Sequence, residues 1–333
     1  MGAAPIEVKR LAAALRGGDR RALARAITLV ESTRTDHRAQ AEELLAALLP
    51  AAGKGVRLGI SGAPGVGKST FIEAFGLLLI GRGHRVAVLA VDPSSKRGGG
   101  SILGDKTRMG ELARHAAAFI RPSPAGRTLG GVARRTRDAM VVVEAAGFDV
   151  TIVETVGVGQ SETAVADMVD LFLLLLAPGG GDDLQGIKRG IIELADLLIV
   201  NKTDGDLKPA ALRAVADYRH ALRMLRPPTT EQAAEVLAVS ALEGDGIDKV
   251  WHSVERRIAA LGATGEIARR RSEQARAALW SEIGEGLIDL FKADAKVAAK
   301  LAQLERDVAA AKLTPTAAAK AALKVFRGRA RAT

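Results

Sequence analysis

The stretch Gly62-Ala63-Pro64-Gly65-Val66-Gly67-Lys68-Ser69 decides how this chain is read. It has the spacing G-x-x-x-x-G-K-[ST], in which glycines let backbone N–H groups turn inward around phosphates. Residues 56–60 just before it are strand-like, and a helix is expected from about Lys68. The amino end of such a helix adds partial positive charge. Lys68 is then the cation for the terminal phosphates, and the Ser69 hydroxyl is a magnesium ligand. The expected cradle for a nucleoside triphosphate runs from Gly62 through Thr70.

From Val56 onward, short apolar runs alternate with helical stretches. Val86–Val91 ends at Asp92, and 117–120 is a weaker run. Residues 150–153 end at Glu154, Leu171–Leu176 at Ala177-Pro178, Leu197–Val200 at Asn201, and 236–239 at Ser240. Continuous apolar runs separated by helices describe a parallel sheet buried on both faces. Ligands of such sheets bind beyond the carboxyl ends of the strands, where these polar residues gather.

Asn201-Lys202-Thr203-Asp204 follows one of these strands. A carboxylate at Asp204 accepts from both the ring N–H and the exocyclic amine of guanine, a pairing adenine does not offer. Ser240-Ala241-Leu242, after the next strand, presents backbone N–H groups to the guanine carbonyl. GTP is therefore expected over ATP, with GDP as product. Magnesium needs hard oxygen ligands, and the candidates are Ser69, Asp92, Asp105 and Glu154. The plain alternative for Asp105 is a surface carboxylate in its loop. Gly157, in Glu154-Thr155-Val156-Gly157, offers its N–H to the γ-phosphate. Gln160 is the candidate for orienting water and Arg108 for stabilising charge; loop packing or partner contact is the alternative for both. Lys68, Asp92 and Glu154 complete the catalytic set. Two glycine runs, Gly98-Gly99-Gly100 and Gly179-Gly180-Gly181, carry flanking charges and suit loops that order around phosphate or a partner.

The ends of the chain are helical in pattern. Residues 1–53 form an N-terminal helical segment with a packing role, 54–262 the nucleotide-binding domain, and 263–333 a C-terminal helical arm. One long helix is expected over 267–312. Val297, Leu301, Leu304 and Val308 step by four, three and four, a seam too short for a firm coiled coil. It fits either packing on its own domain or dimerisation. Thr314-Pro315 starts a last helix, with Thr as N-cap and Pro in the first turn.

Composition narrows the alternatives. With 48% apolar residues the chain has a real core, and with 3% aromatics that core is aliphatic. The absence of cysteine excludes disulfides and thiolate zinc sites. A net charge of +10 permits nucleic acid, membrane or acidic partners. Neither an RNA-recognition aromatic pair nor a Cys/His finger accompanies it, so no nucleic-acid partner is expected. The most hydrophobic run is far short of the ~20 residues that span a bilayer. No membrane partner and a cytoplasmic location are expected.

Helices between the first three strands make those strands parallel, unlike Ras-like GTPases, and the chain resembles the SIMIBI class of P-loop GTPases. Val91-Asp92-Pro93-Ser94-Ser95, 99–109 and Glu154-Thr155-Val156-Gly157-Val158-Gly159-Gln160-Ser161-Glu162 resemble the MeaB/ArgK family. That resemblance covers about 54–262. It implies an α/β fold with a mostly parallel central sheet flanked by helices, Mg·GTP hydrolysis, and a homodimer formed through the C-terminal arm. It further implies a chaperone that protects the adenosylcobalamin-dependent methylmalonyl-CoA mutase and gates its cofactor loading. The rival reading is a metallochaperone GTPase, for which the five scattered histidines supply no evident ligand cluster. An ATP-dependent kinase, the meaning once attached to the ArgK label, conflicts with Asn201-Lys202-Thr203-Asp204.

Overall fold

The computed structural model describes residues 7–32, 34–91, 109–122, 129–155, 161–178, 189–225 and 234–328. Its strands are β1 (Val56–Gly62), β2 (Val86–Val91), β3 (Ala118–Pro122), β4 (Val150–Thr155), β5 (Leu171–Leu176), β6 (Leu197–Val200) and β7 (Glu235–Ala238). They form one sheet in the order β3-β2-β4-β1-β5-β6-β7. All six pairings are parallel. Every residue of β2, β4, β5 and β6 is buried, which is why β2, β5 and β6 are apolar runs rather than alternating ones.

Alternate residues of each strand enter opposite cores. Leu171, Leu173 and Leu175 of β5 face one side, where α4 (Lys68–Gly81) contributes Phe71, Ile72, Phe75 and Leu79. A later helix, Ile247–Ala263, adds Val250, Trp251 and Val254 to that layer. Phe172, Leu174 and Leu176 face the other side. Phe71 and Phe75 are fully buried and stack at 5.5 Å, each worth roughly 2–3 kcal/mol of transfer free energy.

The N-terminal helices α1 (Val8–Arg16), α2 (Arg20–Val30) and α3 (Thr35–Leu48) have the packing role expected of them. Leu15, Ile27, Leu44 and Leu48 are completely buried in the second core. They meet α6 (Leu129–Ala145) through Val132, Met140 and Val143. Asp19 caps α2 by accepting from Arg21 N at 2.7 Å and Ala22 N at 3.2 Å. Arg20 donates to the carbonyls of Ala116 and Ala118 at 2.8 and 2.9 Å, which ties α2 to the entry of β3. The intervening short helix α5 is Gly110–Arg114, and α7 (Ser161–Ala166), α8 (Arg189–Leu194), α9 (Lys208–Leu225) and α10 (Ile247–Ala263) follow.

Residues Met1–Gln274 make one compact unit and Ala275–Thr333 a second. The uninterrupted helix expected over 267–312 is instead two helices, α11 (Glu266–Ala293) and α12 (Ala295–Ala309). Asp294 causes the break: its carboxylate accepts from Lys296 N at 2.9 Å and Val297 N at 3.1 Å, the geometry of an N-cap. Thr314 caps α13 (Pro315–Arg327) as expected, accepting from Ala317 N at 3.3 Å. The seam of Val297, Leu301, Leu304 and Val308 is used inside this unit: Leu304 packs with Ala318 and Ala322, and Leu301 and Val308 lie against them. Phe291 and Phe326 meet edge to face at 5.4 Å. Among the described residues no helix is long and apolar enough to cross a membrane.

Candidate functional site

β1 delivers the chain to the phosphate loop, and Gly62 ends the strand because nothing larger fits. A Cβ there would lie 2.5 Å from the Leu175 carbonyl oxygen. Gly67 is required twice over. Its φ of 91° lies in the left-handed region, and a Cβ would stand 2.7 Å from Asn201 Nδ2. The loop's exposed face is formed by Ala63, Pro64 and Gly65, while Val66 is buried beneath it. Ser69 is half-buried in the first turn of α4, and Thr70 is exposed.

Lys68 is buried, and its ammonium donates to the carbonyls of Gly62 at 2.7 Å and Ala63 at 3.2 Å. Burial pushes its pKa below 10.5, opposed by the negative charges of Glu154 and Glu162. Glu154 is the penultimate residue of β4, directly across from Ile60 of β1, and Glu162 lies in the first turn of α7. Both carboxylates are buried. The result is a cation held at the carboxyl edge of the sheet by backbone carbonyls and two acidic groups. A helix N-terminus and a buried ammonium together suit a polyphosphate.

The second half of the site hangs on Asn201, which is 2% exposed. Its Nδ2 donates to the Val66 carbonyl at 2.9 Å, and its Oδ1 accepts from Ala241 N at 3.1 Å. One side chain thus joins the loops after β1, β6 and β7. Lys202 adopts φ 62°, a left-handed conformation uncommon outside glycine. The turn is held in part by Thr203 N donating to Val239 O at 3.1 Å. The Ser240 hydroxyl donates to the Asp204 carboxylate. Glu243 N donates in turn to Ser240 Oγ at 3.1 Å. Ala241 is buried, whereas the Leu242 side chain is 79% exposed. An acceptor carboxylate held by the Ser240 hydroxyl is complementary to the ring N–H and exocyclic amine of guanine.

Asp92, Asp105, Arg108, Gly157 and Gln160 lie outside the described residues, as do the two glycine runs. The structure brings together the remaining sequence-derived residues: the Gly62–Thr70 loop, Glu154, the Asn201 segment and the Ser240 segment. Three contacts were not read from the sequence, although Thr155 and Glu162 lie in the Glu154–Glu162 stretch: Glu162 acting on Lys68, a hydroxyl pair between Ser61 and Thr155, and the Arg271–Asp170 contact at the opposite edge. The last spans about a hundred residues of sequence with no spacing to announce it.

The sheet, the phosphate loop and the guanine-type base loop define a P-loop GTPase. The family model described as "Methylmalonyl Co-A mutase-associated GTPase MeaB" matches residues 23–296, and the chain belongs to this family. A Caulobacter vibrioides protein called a putative GTPase is 55% identical over 96% of this chain and 98% of its own length. The mitochondrial methylmalonic aciduria type A homolog of Mus musculus is 48% identical over 97% of this chain and 80% of its own. A crystal structure of a LAO/AO transport system kinase superposes with a TM-score of 0.75 at 40% identity, covering 98% of this chain and 100% of that one. This chain binds GTP and GDP and hydrolyses GTP.

Proposed function

We propose that this chain is a GTP-hydrolysing chaperone of an adenosylcobalamin-dependent methylmalonyl-CoA mutase, protecting the mutase and gating its cofactor loading. The family to which it belongs supports the client. The observation that carries the nucleotide chemistry is the Asn201 side chain, which ties the base loop to the phosphate loop.

In this reading Gly62 through Thr70 cradle the phosphates, and Lys68 leaves its carbonyl partners to balance charge developing on the γ-phosphate. Asp204 accepts from guanine, Ser240 orients that carboxylate, and the Ser240-Ala241-Leu242 segment lines the base carbonyl, with Leu242 offering its N–H while the Ala241 N–H is held by Asn201 Oδ1. Asn201 and Lys202 shape the wall between base and phosphates. The donor set fits magnesium: Ser69 supplies a hydroxyl in the first turn of a helix, and Glu154 a buried carboxylate at a strand end near Lys68. Asp92 and Asp105 belong to the same proposed set. The ion supplies neutralisation of phosphate charge. Gly157 contacts the γ-phosphate, Gln160 orients water, and Arg108 stabilises charge.

The reading includes a cytoplasmic homodimer. Supporting it, α11 exposes Leu279, Trp280, Ile283, Leu287, Ile288 and Leu290, each at least 40% accessible. A concavity of about 810 Å³ beside them is lined by Leu287, Phe291, Leu323 and Phe326. So much contiguous apolar surface on a soluble chain marks an interface. Steady-state GTP hydrolysis with and without the mutase, against ATP, tests the whole proposal. GTP-specific turnover accelerated by the mutase is expected. Turnover indifferent to the mutase removes the client, and equal use of ATP removes the guanine reading.

A further inference from the structure

β1 and β4 run side by side from Val56 opposite Val150 to Ile60 opposite Glu154. There they part. β1 continues with β5 as far as Gly62 opposite Leu175, whereas β4 continues with β2 as far as Thr155 opposite Val91. The fork opens at the carboxyl edge, where open α/β sheets take their ligands. Its two tines carry the chemistry: Gly62 starts the phosphate loop on one, and Glu154 sits on the other. Across the fork the Thr155 hydroxyl donates to the Ser61 hydroxyl at 2.7 Å. Thr155 is 0% and Ser61 1% exposed, so water does not substitute for either partner.

We infer that this hydroxyl pair sets the width of the fork and makes Thr155 a positioning residue for GTP hydrolysis. β1 is held on its other side by its pairing with β5, which runs through Gly62 opposite Leu175, where no room is left even for a Cβ. A change in the fork therefore moves β4, and with it the Glu154 carboxylate relative to Lys68. Both of those side chains are buried at strand and helix ends, where they lack room to compensate by changing rotamer. A buried hydroxyl deprived of its partner drives such a shift, because leaving it unsatisfied is costly. The guanine loop and the phosphate-loop amides do not depend on β4, so ground-state nucleotide binding is separable from turnover. The inference rests on the assignment of Lys68 and Glu154 to the hydrolytic site.

The test is Thr155→Val, which keeps the shape and removes the hydroxyl, measured in the full chain. The kcat for GTP is expected to fall about tenfold, the scale of a lost buried hydrogen bond, while GDP affinity stays within about twofold. Thr155→Ser restores turnover, Ser61→Ala reproduces the loss, and Ser61→Ala with Thr155→Val loses no more than either alone. Unchanged kcat in Thr155→Val overturns the inference, as does a GDP affinity that falls in step with kcat or a Thr155→Ser protein that stays impaired. Lys68→Ala separates the two levels. If it hydrolyses GTP as the parent does, the site assignment itself fails. If it is inactive while Thr155→Val is normal, the assignment stands and the fork has no such role.

Discussion

Asn201 Nδ2 donates to the carbonyl of Val66 at 2.9 Å, joining the end of β6 to the middle of the phosphate loop across 135 residues of sequence. The same side chain accepts from Ala241 N, so its removal leaves a buried carbonyl and a buried N–H unsatisfied together. Asn201→Ala is expected to lower unfolding free energy by about 2–3 kcal/mol, from the two stranded groups. GDP affinity falls at the same time, because the base and phosphate loops lose their common support. Urea unfolding and GDP titration on one preparation check this. A variant with parental stability and affinity would mean that the bond is incidental.

Asp204 governs the choice of base through charge and hydrogen-bond pattern. Its carboxylate only accepts; an asparagine in its place presents one acceptor and one donor. Guanine then loses one of two bonds to a charged acceptor, and GTP affinity is expected to fall roughly 100-fold. Xanthine carries a carbonyl where guanine carries the amine, so Asp204→Asn is expected to gain for xanthosine triphosphate what it loses for GTP. Competition between the two triphosphates in a hydrolysis assay measures the exchange. If Asp204→Asn keeps the parental preference for GTP, Asp204 does not read the base.

Much of this site was legible because phosphate and guanine recognition depend on backbone conformation, and backbone conformation is written in glycines and short polar motifs. Gly62, Gly67, Lys68, Asn201, Asp204 and Ser240 each announced themselves at a strand end. The sheet was legible for a related reason: burial on both faces makes a strand apolar throughout, as in Leu171–Leu176. What escaped was tertiary. The Ser61–Thr155 pair involves two ordinary hydroxyls, and its meaning comes only from the divergence of β1 and β4. The long arm helix was misjudged at Asp294 because apolar periodicity runs on through the break. A single capping carboxylate outweighs it by satisfying the first N–H groups of α12.

Glu31 makes stability depend on pH in a direction opposite to that of most paired carboxylates. It ends α2, is 7% exposed, and accepts from Arg121 Nη2 at 2.6 Å. Burial nevertheless raises its pKa above 4.5, outweighing Arg121 and the positive charge of Arg135. In the window between 4.5 and the folded value the native state holds more protons than the unfolded chain. The Glu31 contribution is therefore fully present below 4.5 and is lost as pH rises through the folded value. Glu31→Gln removes this component. Urea midpoints of both proteins between about pH 4 and 8 are expected to show a downward contribution in the parent that the variant lacks. Parallel profiles would assign the dependence elsewhere.

Arg271 closes the amino edge of the sheet, opposite the nucleotide. Its guanidinium forks onto Asp170, with Nε to Oδ1 at 2.7 Å and Nη2 to Oδ2 at 2.6 Å. It also donates to the carbonyls of Gly53 at 2.5 Å and Gly55 at 2.6 Å. Asp170 is 1% exposed and further accepts from Arg57 N at 2.8 Å. Removing the arginine leaves a buried carboxylate and two carbonyls without their cation, so Arg271→Met is expected to cost about 3 kcal/mol of unfolding free energy. Adding Asp170→Asn returns part of that loss, because the stranded charge disappears with it. The clamp lies at the far end of β1 from Gly62, so GDP affinity is expected to stay within about twofold of the parent. Urea unfolding of the two single variants and the double variant closes the cycle. Strictly additive losses would show that Arg271 and Asp170 act independently, and a collapse of GDP affinity would show that the amino edge of β1 reaches the phosphate loop.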